Sequence, residues 1–396
     1  MSKKKVVLAF SGGLDTTYCA FHLKEDLNLD VYTVLVNTGG FSKEELEETS
    51  KKAESYGVVQ HENLEVTQEF YDDCLKYLIY GNVLKNNTYP LSVSAERAFQ
   101  ALAIAKHAKK IGAEYIAHGS TGAGNDQVRF DLIFQIICPD IEIITPIRDN
   151  RLSRQEEIEY LKTKGVDLPW EKAKYSINKG LWGTSVGGAE TLTSDQTLPE
   201  EAFPSQVEKD GSEEVDLLFE KGELVGLNGQ KMGSVEAIEK LNDIASKYGI
   251  GRDIHVGDTI IGIKGRVGFE AAAPVIILKA HHTLEKHILT KWQQHWKEQL
   301  ANWYGMLLHE GQFLDPVMRD VEKFLESTQR HVSGTVKVSL GVYRFFVIGI
   351  ESEKDLMQSE FGQYGEMNNG WSGEDVKGFT KILANQSKIY YSLNDD

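Results

Sequence analysis

The sequence predicts an α/β protein, with a doubly wound parallel sheet in its first half and an α+β arrangement in its second half. Three observations support this fold class. Strand patterns alternate with helical patterns over residues 6–164. A glycine-rich loop, Ser11-Gly12-Gly13, lies between the first strand and the first helix. From residue 215 onwards, hairpin signals and amphipathic helices follow one another.

The elements of the first half follow from apolar periodicity and from capping and breaking residues. Ser42 and Glu45 predict a capping box at the start of a helix that Gly57 ends. Thr67 is a candidate cap for another helix, and Gly112 ends the longest one. The predicted strands cover residues 6–10, 30–37, 58–66, 114–118 and 141–147, and the predicted helices cover 16–27, 42–57, 67–80, 94–111, 125–138 and 153–164.

The second half begins at a boundary that Pro169-Trp170 predicts. Asn228-Gly229 predicts a hairpin turn, and Ser234 is a candidate helix cap. Further predictions are an extended segment over 191–212, strands within 215–232 and 334–350, and helices over 234–248, 274–308 and 374–391. Within 274–308, five bulky residues recur every three or four positions and predict a core or subunit-interface stripe: Trp292, Trp296, Leu300, Trp303 and Leu307.

The composition excludes several classes of function. The chain has 396 residues, and its 59 acidic against 43 basic side chains give a formal net charge of -16. This balance disfavours a nucleic-acid or anionic-membrane surface, because phosphate contacts need lysine and arginine. Three widely spaced cysteines, Cys19, Cys74 and Cys138, indicate buried thiols rather than a zinc site or disulfide framework. No apolar segment reaches about 18 residues, so we expect a cytoplasmic protein without a membrane span.

The loop over residues 9–17 carries the strongest functional signal. Its paired glycines let the backbone approach an anion, while the free amides of the new helix and the Ser11 and Thr16 hydroxyls supply donors. The loop has neither the lysine of a G-x-x-x-x-G-K-[ST] motif nor a G-x-G-x-x-G pattern. Its Ser-Gly-Gly-Leu-Asp sequence resembles the pyrophosphate loop of N-type ATP pyrophosphatases, which split ATP into AMP and pyrophosphate.

Two more loops follow predicted strands, at the sheet edge where doubly wound proteins bind ligands. Asn37-Thr38-Gly39-Gly40 follows the second strand, where either a plain turn or a loop over a base or ribose is expected. Residues 118–129 pack three glycines, two hydroxyls, an amide, a carboxylate and Arg129 between a strand and a helix. Asn125 and Arg129 are four residues apart and so share a helix face. A flexible linker would not require an arginine at this position. The segment therefore favours a binding site over a linker.

These two loops together resemble argininosuccinate synthases. The matching motifs are Ser-Gly-Gly-Leu-Asp-Thr at residues 11–16 and His-Gly-x-Thr-Gly-x-Gly-Asn-Asp-Gln-Val-Arg at 118–129. The likeness runs in order along nearly the whole chain. Supporting segments are Tyr89-Pro90-Leu91 with Ser94, Tyr175-Ser176-Ile177, Leu181-Trp182-Gly183-Thr184-Ser185, Gly251-Arg252, Ile263-Lys264-Gly265-Arg266 and Phe269-Glu270.

The resemblance implies a condensation of citrulline with aspartate that consumes ATP and releases AMP and pyrophosphate through a citrullyl-adenylate. It implies three sets of site residues. The ATP set is Ala9, Phe10, Ser11, Gly12, Gly13, Leu14, Asp15, Thr16, Thr17, Val36 and Gly119. The aspartate set is Thr121, Asn125 and Asp126. The citrulline set is Tyr89, Ser94, Asn125, Arg129, Ser176, Ser185 and Glu270.

The implied chemistry needs alignment and charge stabilisation more than a nucleophilic side chain. By resemblance, Asp15, Asp126 and Arg129 align the reactants and stabilise the adenylate, and no residue is identified as a general base. Mg²⁺ is expected on the phosphates with few protein ligands, none of which is assigned. The implied organisation is an ATP-binding domain (1–168) of the adenine nucleotide alpha-hydrolase-like class, a synthetase domain (169–360) and a C-terminal oligomerisation arm (361–396) of a homotetramer.

Three departures from the family pattern leave alternatives open. Ala123 stands where the family has lysine, Asn178 where it has aspartate, and Val186-Gly187-Gly188 where it has an acidic residue. A substrate with a blocked amine, such as an N-acylated citrulline, would need less negative charge there. A catalytically silent nucleotide-binding regulator is a second alternative. A tRNA-thiolating or amidotransferase-type ligase is a third, although the sequence lacks the catalytic cysteines or basic surface expected of one.

Overall fold

A computed structural model describes residues 3–166, 174–362, 364–366 and 369–394. The boundary predicted at Pro169-Trp170 lies outside the described residues, so the domain limits stay a prediction. The three cysteines are free and buried, as predicted. In the described part of the chain, no helix is long and apolar enough to cross a membrane.

The helices and strands follow the predicted order in the first half, whereas in the second half the strands at 176–178, 184–187, 252–258 and 264–270 and the helix at 316–328 were not predicted. In the first half they are β1 (Lys5–Ala9), α1 (Leu14–Phe21), β2 (Asp30–Asn37), α2 (Lys43–Ser55), β3 (Gln60–Glu65), α3 (Thr67–Phe70), α4 (Lys76–Gly81), α5 (Ser92–Ile111), β4 (Tyr115–Ala117), α6 (Asp126–Ile137), β5 (Glu142–Ile144), α7 (Pro146–Asn150) and α8 (Arg154–Thr163). In the second half they are β6 (Ser176–Asn178), β7 (Thr184–Gly187), β8 (Ser212–Glu220), β9 (Glu223–Leu227), β10 (Gln230–Lys231), α9 (Ser234–Ala245), β11 (Arg252–Asp258), β12 (Lys264–Glu270), α10 (Ala272–Ile288), α11 (Lys291–His309), α12 (Pro316–Thr328), β13 (Gly334–Gly341), β14 (Arg344–Glu351), α13 (Gly373–Leu383) and α14 (Asn385–Leu393).

The first half forms the predicted parallel sheet, in the order β3-β2-β1-β4-β5. Its central strand β1 pairs with β2 and β4, so that Val7 lies opposite both Tyr32 and Ile116. Val6, Val7 and Leu8 are fully buried because helices cover both faces of the sheet. The loops after β1, β2 and β4 therefore lie together at the carboxyl edge.

The second half builds two antiparallel sheets, as an α+β domain should. One has the order β10-β9-β8-β13-β14 and is covered by α9 and α10. Its Asn228-Gly229 turn has both residues at positive φ, as a two-residue hairpin requires. The other has the order β11-β12-β7-β6 and lies against α5 of the first half. Trp182 is fully buried and donates to the Pro90 carbonyl at 2.9 Å, which fixes this sheet beside α5.

Several local predictions are wrong. Thr67 and Ser234 are the first residues of α3 and α9 rather than their caps, and neither helix has a side-chain cap hydrogen bond. The helix predicted over 274–308 is two helices, because Leu289 is extended and Thr290 starts α11 with a capping box. The tryptophans of the predicted stripe are not core residues: Trp292, Trp296 and Trp303 are 64%, 60% and 57% exposed. The subunit-interface alternative for this stripe remains a prediction.

A buried polar network links α4, α10 and α11. Lys297 pairs with Glu285 at 2.8 Å, and both side chains are almost completely buried. Asn82 donates to the same carboxylate at 2.6 Å and accepts from His281, also at 2.6 Å. Burial lowers the pKa of His281 to about 4, so the imidazole is neutral. His281 thus belongs to a network of hydrogen bonds that joins the two halves of the chain.

The C-terminal helices α13 and α14 have no buried residue. Ser372 starts α13 with a capping box, so the helix is locally well formed. Its apolar side chains are nevertheless exposed, including Phe379, Ile382 and Leu383. This part of the chain therefore has an apolar surface that the rest of the described chain does not cover.

Candidate active site

The first loop has the backbone that an anion site requires. Gly12 adopts φ +74°, which an L side chain rarely does, and Gly13 precedes α1 without a side-chain cap. Ser11 and Thr16 hydroxyls lie 3.4 Å apart across the loop. The first-turn amides of α1 consequently remain available to a ligand, with the positive end of the helix dipole behind them.

Some predicted ATP residues can contribute only their backbone. Phe10, Leu14 and Thr17 are at most 5% exposed and point into the core, as does Val36 in β2. Ser11 and Gly13 are exposed, and Asp15 and Thr16 are half-buried. The loop thus presents amides and small hydroxyls at its surface.

The third loop lies directly against the first. A Cβ placed on Gly119 would lie 3.3 Å from the carbonyl carbon of Asp15, so the absence of a side chain permits this approach. His118 behind it is held by Asp131 at 2.9 Å, and Arg148 contacts the other oxygen of the same carboxylate at 2.6 Å. The structure therefore brings Gly119 directly against the first loop.

Residues 179–181 of the same chain pack against the second loop, residues 37–40. A Cβ on Gly40 would overlap the carbonyl oxygen of Lys179, and one on Gly39 would lie 2.8 Å from the Leu181 side chain. Leu181 also donates its amide to the Thr38 carbonyl at 3.2 Å. The glycines of this loop are thus explained by packing against residues 179–181, which favours the plain-turn alternative.

Arg129 is the centre of a buried cluster. Its guanidinium contacts the Asp126 carboxylate at 3.0 Å, the Ser94 hydroxyl at 2.9 Å and the His309 carbonyl at 2.9 Å. The Arg129 side chain is only 3% exposed. Three predicted site residues, Ser94, Asp126 and Arg129, are therefore in direct contact, and α5 and α6 bring them together.

Arg97 extends this cluster to the four-stranded sheet. Its Nε donates to Asp126 at 2.8 Å, and its Nη2 donates to the Asn178 side-chain oxygen at 3.0 Å. Asn178 in turn donates to the Ser185 hydroxyl at 3.4 Å. Burial opposes ionisation of Asp126, but the charges of Arg97 and Arg129 outweigh it and hold the Asp126 pKa below its usual value.

His309 closes the cluster from the end of α11. Its Nδ1 lies 3.3 Å from both the Ser94 hydroxyl and Arg129 Nη2, which are hydrogen-bond donors. Burial and the Arg129 charge lower the His309 pKa to about 3. The neutral ring therefore accepts at Nδ1 and donates from Nε2 to the Asp258 carbonyl at 3.3 Å, a tautomer inferred from these partners.

One face of the four-stranded sheet covers the cluster. Ser176, Asn178, Ser185 and Phe269 lie on this face, since Asn178 pairs with Ser185 and Ser185 with Phe269. The Tyr89 ring packs against Phe269, with 5.4 Å between ring centroids, and stacks on His255. The Tyr89 hydroxyl accepts the Val93 amide at 3.1 Å, so it also fixes the first turn of α5.

Glu270 is not brought to this cluster. It follows Phe269 in β12 and so lies on the opposite face of the sheet. One carboxylate oxygen accepts from Ser205 at 2.6 Å and the other from Arg252 at 2.8 Å. The citrulline role predicted for Glu270 is therefore not supported by its position, which strand alternation explains.

Of the remaining predicted residues, Thr121 and Asn125 lie in the third loop and Ser176 lies in β6. Thr121 is exposed in the third loop, next to Ala123, and Ser176 is exposed at the start of β6. The Asn125 side-chain oxygen accepts the Ile260 amide at 2.8 Å, which ties the third loop to the turn after β11. At Gly188 a Cβ would lie 2.6 Å from the Tyr175 ring, so this departure from the family pattern has a packing reason.

Sequence reasoning missed Arg97, His309 and His255. Arg97 follows Ser94 by three residues, so helical spacing could have placed both on one face of α5. His309 and His255 lie more than a hundred residues from Arg129 along the chain. Nothing in the local sequence around them indicates that His309 contacts Arg129 or that His255 stacks on Tyr89.

Comparisons with known proteins identify the family of this chain. Residues 5–167 match the family model described as the argininosuccinate synthase N-terminal HUP domain, and residues 175–390 match the argininosuccinate synthase C-terminal domain. Similar proteins include the argininosuccinate synthase of Methanocaldococcus jannaschii, with 38% identity over 97% of both chains. That of Dictyoglomus thermophilum is 38% identical over 98% of both chains. That of Pyrococcus furiosus is 36% identical over 98% of this chain and 95% of its own. The chain therefore belongs to the argininosuccinate synthase family.

Proposed function

We propose that this chain condenses citrulline with aspartate to give argininosuccinate, AMP and pyrophosphate, as a step of arginine biosynthesis. Family membership along the whole length supports the reaction. The observation that carries the proposal is the buried contact of Ser94, Asp126 and Arg129, which the third loop connects to the uncapped glycine loop through Gly119. This arrangement offers an anion site for a triphosphate next to a charged pocket for amino acids.

ATP would bind at the first loop, residues 9–17. The α1 amides and the Ser11 and Thr16 hydroxyls would contact the phosphates, because the larger side chains of this loop are buried. Val36 and Gly119 flank the loop and would line the adenosine side. The contact of Gly119 with Asp15 supports this arrangement, since it joins the two loops without a side chain between them.

The amino acids would bind between α5, α6 and the four-stranded sheet. Thr121, Asn125 and Asp126 would hold aspartate, with the Asp126 carboxylate facing its ammonium group. The citrulline set would be Tyr89, Ser94, Asn125, Arg129, Ser176 and Ser185. Glu270 is left out because it lies on the opposite face of the sheet.

The reaction would proceed in two displacements. The ureido oxygen of citrulline attacks the α-phosphorus of ATP, and pyrophosphate leaves. The aspartate amine then attacks the activated carbon, and AMP leaves. Arg129 and Asp126 orient the amino acids, while the α1 amides stabilise the phosphate charge. The protein therefore aligns the reactants and forms no covalent bond with them.

Mg²⁺ would bind mainly through phosphate oxygens and water. The described residues contain no group of three or more His, Cys, Asp or Glu side chains that could hold a metal ion. An ion that keeps several waters is compatible with such a site. Once bound with ATP, it would neutralise part of the phosphate charge.

Pyrophosphate release tests the proposed function. Purified protein is incubated with ATP and Mg²⁺, and with citrulline plus aspartate, each amino acid alone, or N-acetylcitrulline plus aspartate. We expect release of AMP and pyrophosphate only when citrulline and aspartate are both present, with a condensed product in the same amount. Release with the acylated substrate and not with citrulline would contradict the proposal, as would ATP binding without any turnover.

The chain would act in the cytoplasm as a homotetramer. The exposed apolar residues of α13 and α14 support assembly, because large apolar surfaces of this kind mark interaction sites. A second copy of the chain is the proposed occupant, with α13 and α14 of each copy reaching a neighbour.

A further inference from the structure

The exposed part of the third loop is held from within by one side chain. Residues 121–124 are all exposed, whereas Gln127, the second residue of α6, is only 7% exposed. The Gln127 amide nitrogen donates to the Gly122 carbonyl at 2.7 Å and to the Gly124 carbonyl at 3.1 Å. These two hydrogen bonds hold the backbone on both sides of Ala123. Gln127 therefore fixes the shape of a loop segment that has no packed core of its own.

Arg148 in α7 fixes the orientation of the Gln127 amide. Its Nη1 donates to Gln127 Oε1 at 3.3 Å, so the amide oxygen faces a donor while the amide nitrogen faces two acceptors. Rotation of the amide by half a turn would place its nitrogen against the guanidinium and its oxygen against the two carbonyls. The guanidinium therefore keeps Gln127 in the orientation that holds the loop.

A half-buried carboxylate holds Arg148 in turn. One oxygen of Asp131 accepts from Arg148 at 2.6 Å, and the other accepts from His118 Nε2 at 2.9 Å. His118 Nδ1 accepts the Ser120 amide at 3.1 Å, so the ring proton lies on Nε2, a tautomer inferred from these partners. Burial opposes ionisation of Asp131, but the hydrogen bonds from His118 and Arg148 outweigh it and hold the Asp131 pKa below its usual value.

This network meets the loop backbone at three points: the Ser120 amide and the carbonyls of Gly122 and Gly124. Thr121 lies between the first two points, and Asn125 directly follows the third. Both are proposed ligands of aspartate. Because the backbone is held at these points, the distance between Thr121 and Asn125 is set before a ligand binds.

We propose that Gln127 is a positioning residue for aspartate: it holds the backbone of the third loop so that Thr121 and Asn125 together meet one substrate carboxylate. Arg148 supports this role by fixing the Gln127 amide. The inference rests on the proposed function only for aspartate as the ligand of the loop. ATP binding should not depend on Gln127, since none of these hydrogen bonds reaches the first loop.

The test compares the full-length wild type with Gln127→Glu and Gln68→Glu. Glutamate has the shape of glutamine and keeps an acceptor for Arg148, but an ionised carboxylate cannot donate to the two carbonyls. Gln68 is an exposed glutamine of α3, so this control adds the same charge at the surface. Kinetics of pyrophosphate release give kcat and the KM of each substrate, and titration calorimetry gives the Kd for ATP. Hydrogen exchange measured by mass spectrometry reports the order of the loop.

For Gln127→Glu we expect the KM for aspartate to rise about tenfold, because two hydrogen bonds that order its site are lost. The Kd for ATP should be unchanged, and the amides of residues 120–125 should exchange faster. Gln68→Glu should equal the wild type in all three measurements. An unchanged KM for aspartate in Gln127→Glu would overturn this inference alone, and so would an equal loss of affinity for aspartate and ATP. Absence of aspartate-dependent turnover by the wild type would overturn the proposed function as well.

Two further variants keep the test informative if Gln127→Glu does not fold, which circular dichroism shows. Methionine is about as long as glutamine but has no donor, so Gln127→Met should raise the KM for aspartate in the same way. Arg148→Met lets the Gln127 amide rotate, so the KM should rise by a smaller factor, and Arg148→Lys, which keeps a cationic donor, should restore part of it. A KM for aspartate equal to that of the wild type in both methionine variants would contradict the role of Gln127.

Discussion

The buried cluster at the candidate site has more positive than negative charge. Arg97 and Arg129 share a single carboxylate, that of Asp126. Neighbouring Glu96 does not balance the excess, because burial raises the pKa of its carboxyl well above the usual range. Asn178, where the family has aspartate, adds no charge to Arg97. An excess guanidinium in a buried site favours a ligand with a carboxylate, and both proposed amino acids have one.

Arg97→Gln tests whether this charge serves substrate binding. The change removes two hydrogen bonds that the charged Arg97 guanidinium donates, one to the Asp126 carboxylate and one to the Asn178 side-chain oxygen. A lost hydrogen bond to a charged group costs about 1.5–3 kcal/mol. We therefore expect the KM for aspartate or citrulline to rise by about tenfold or more, with the Kd for ATP unchanged, in steady-state kinetics and titration calorimetry.

The matched control is Arg344→Gln, an exposed arginine of β14 far from the cluster in the sequence. Its kinetic constants should equal those of the wild type. If Arg97→Gln behaves like this control, Arg97 has no part in amino-acid binding.

Among single residues, the sequence singled out candidate site residues that lie in continuous motifs. Ser94, Asp126 and Arg129 lie in motifs that could be recognised, and the structure places them in contact. His309 could not be found in this way, because its contact depends on how α11 crosses the rest of the chain. The citrulline role of Glu270 stays a prediction that its position on the opposite face of β12 does not support, since a sequence motif does not reveal which side of a strand a residue occupies.

Among the elements, the loops at the carboxyl ends of β1, β2 and β4 differ in what their glycines do. There is space beside Gly12 and Gly13 at the start of α1, whereas residues 179–181 fill the space beside Gly39 and Gly40. Both loops contain a Gly-Gly pair after a buried strand, so the sequence alone could not distinguish a ligand site from a packing contact. The partner that fills the second loop lies about 140 residues further along.

Gly40→Ala tests the packing role of the second loop. The new methyl group would overlap the Lys179 carbonyl oxygen, which belongs to backbone and cannot rotate away. We expect a loss of about 1–3 kcal/mol in the free energy of unfolding, measured by urea denaturation. Gly211→Ala, where the Cβ has no neighbour within 4 Å, is the control and should change stability little.

Secondary structure was predictable where caps and periodicity agree. β2 has the predicted limits, and the capping boxes at Ser42 and Ser153 start α2 and α8 as expected for such motifs. Thr67 and Ser234 failed as caps because each is already the first helical residue. The break at Leu289–Thr290 was missed, since the apolar spacing continues across it even though the backbone does not.

For the whole molecule, the uncovered apolar surface of α13 and α14 is the main feature that the single chain leaves unexplained. Removal of residues 371–396 should lower the molar mass of the assembly in size-exclusion chromatography with light scattering. The circular dichroism of the remaining chain should be retained, because no residue of α13 or α14 is buried against it. If the truncated protein still had the molar mass of a tetramer, the proposed role of the arm would be contradicted.

The contact between His309 and Arg129 also orders events during synthesis. The strands of the parallel sheet all precede residue 145, so the loops that follow β1 and β4 can form while the later chain is still being made. The guanidinium of Arg129 can donate to the His309 carbonyl only after residue 309 has left the ribosome. A nascent chain can therefore form its first loop long before the cluster around Arg129, and a chain stopped in between would have the first without the second.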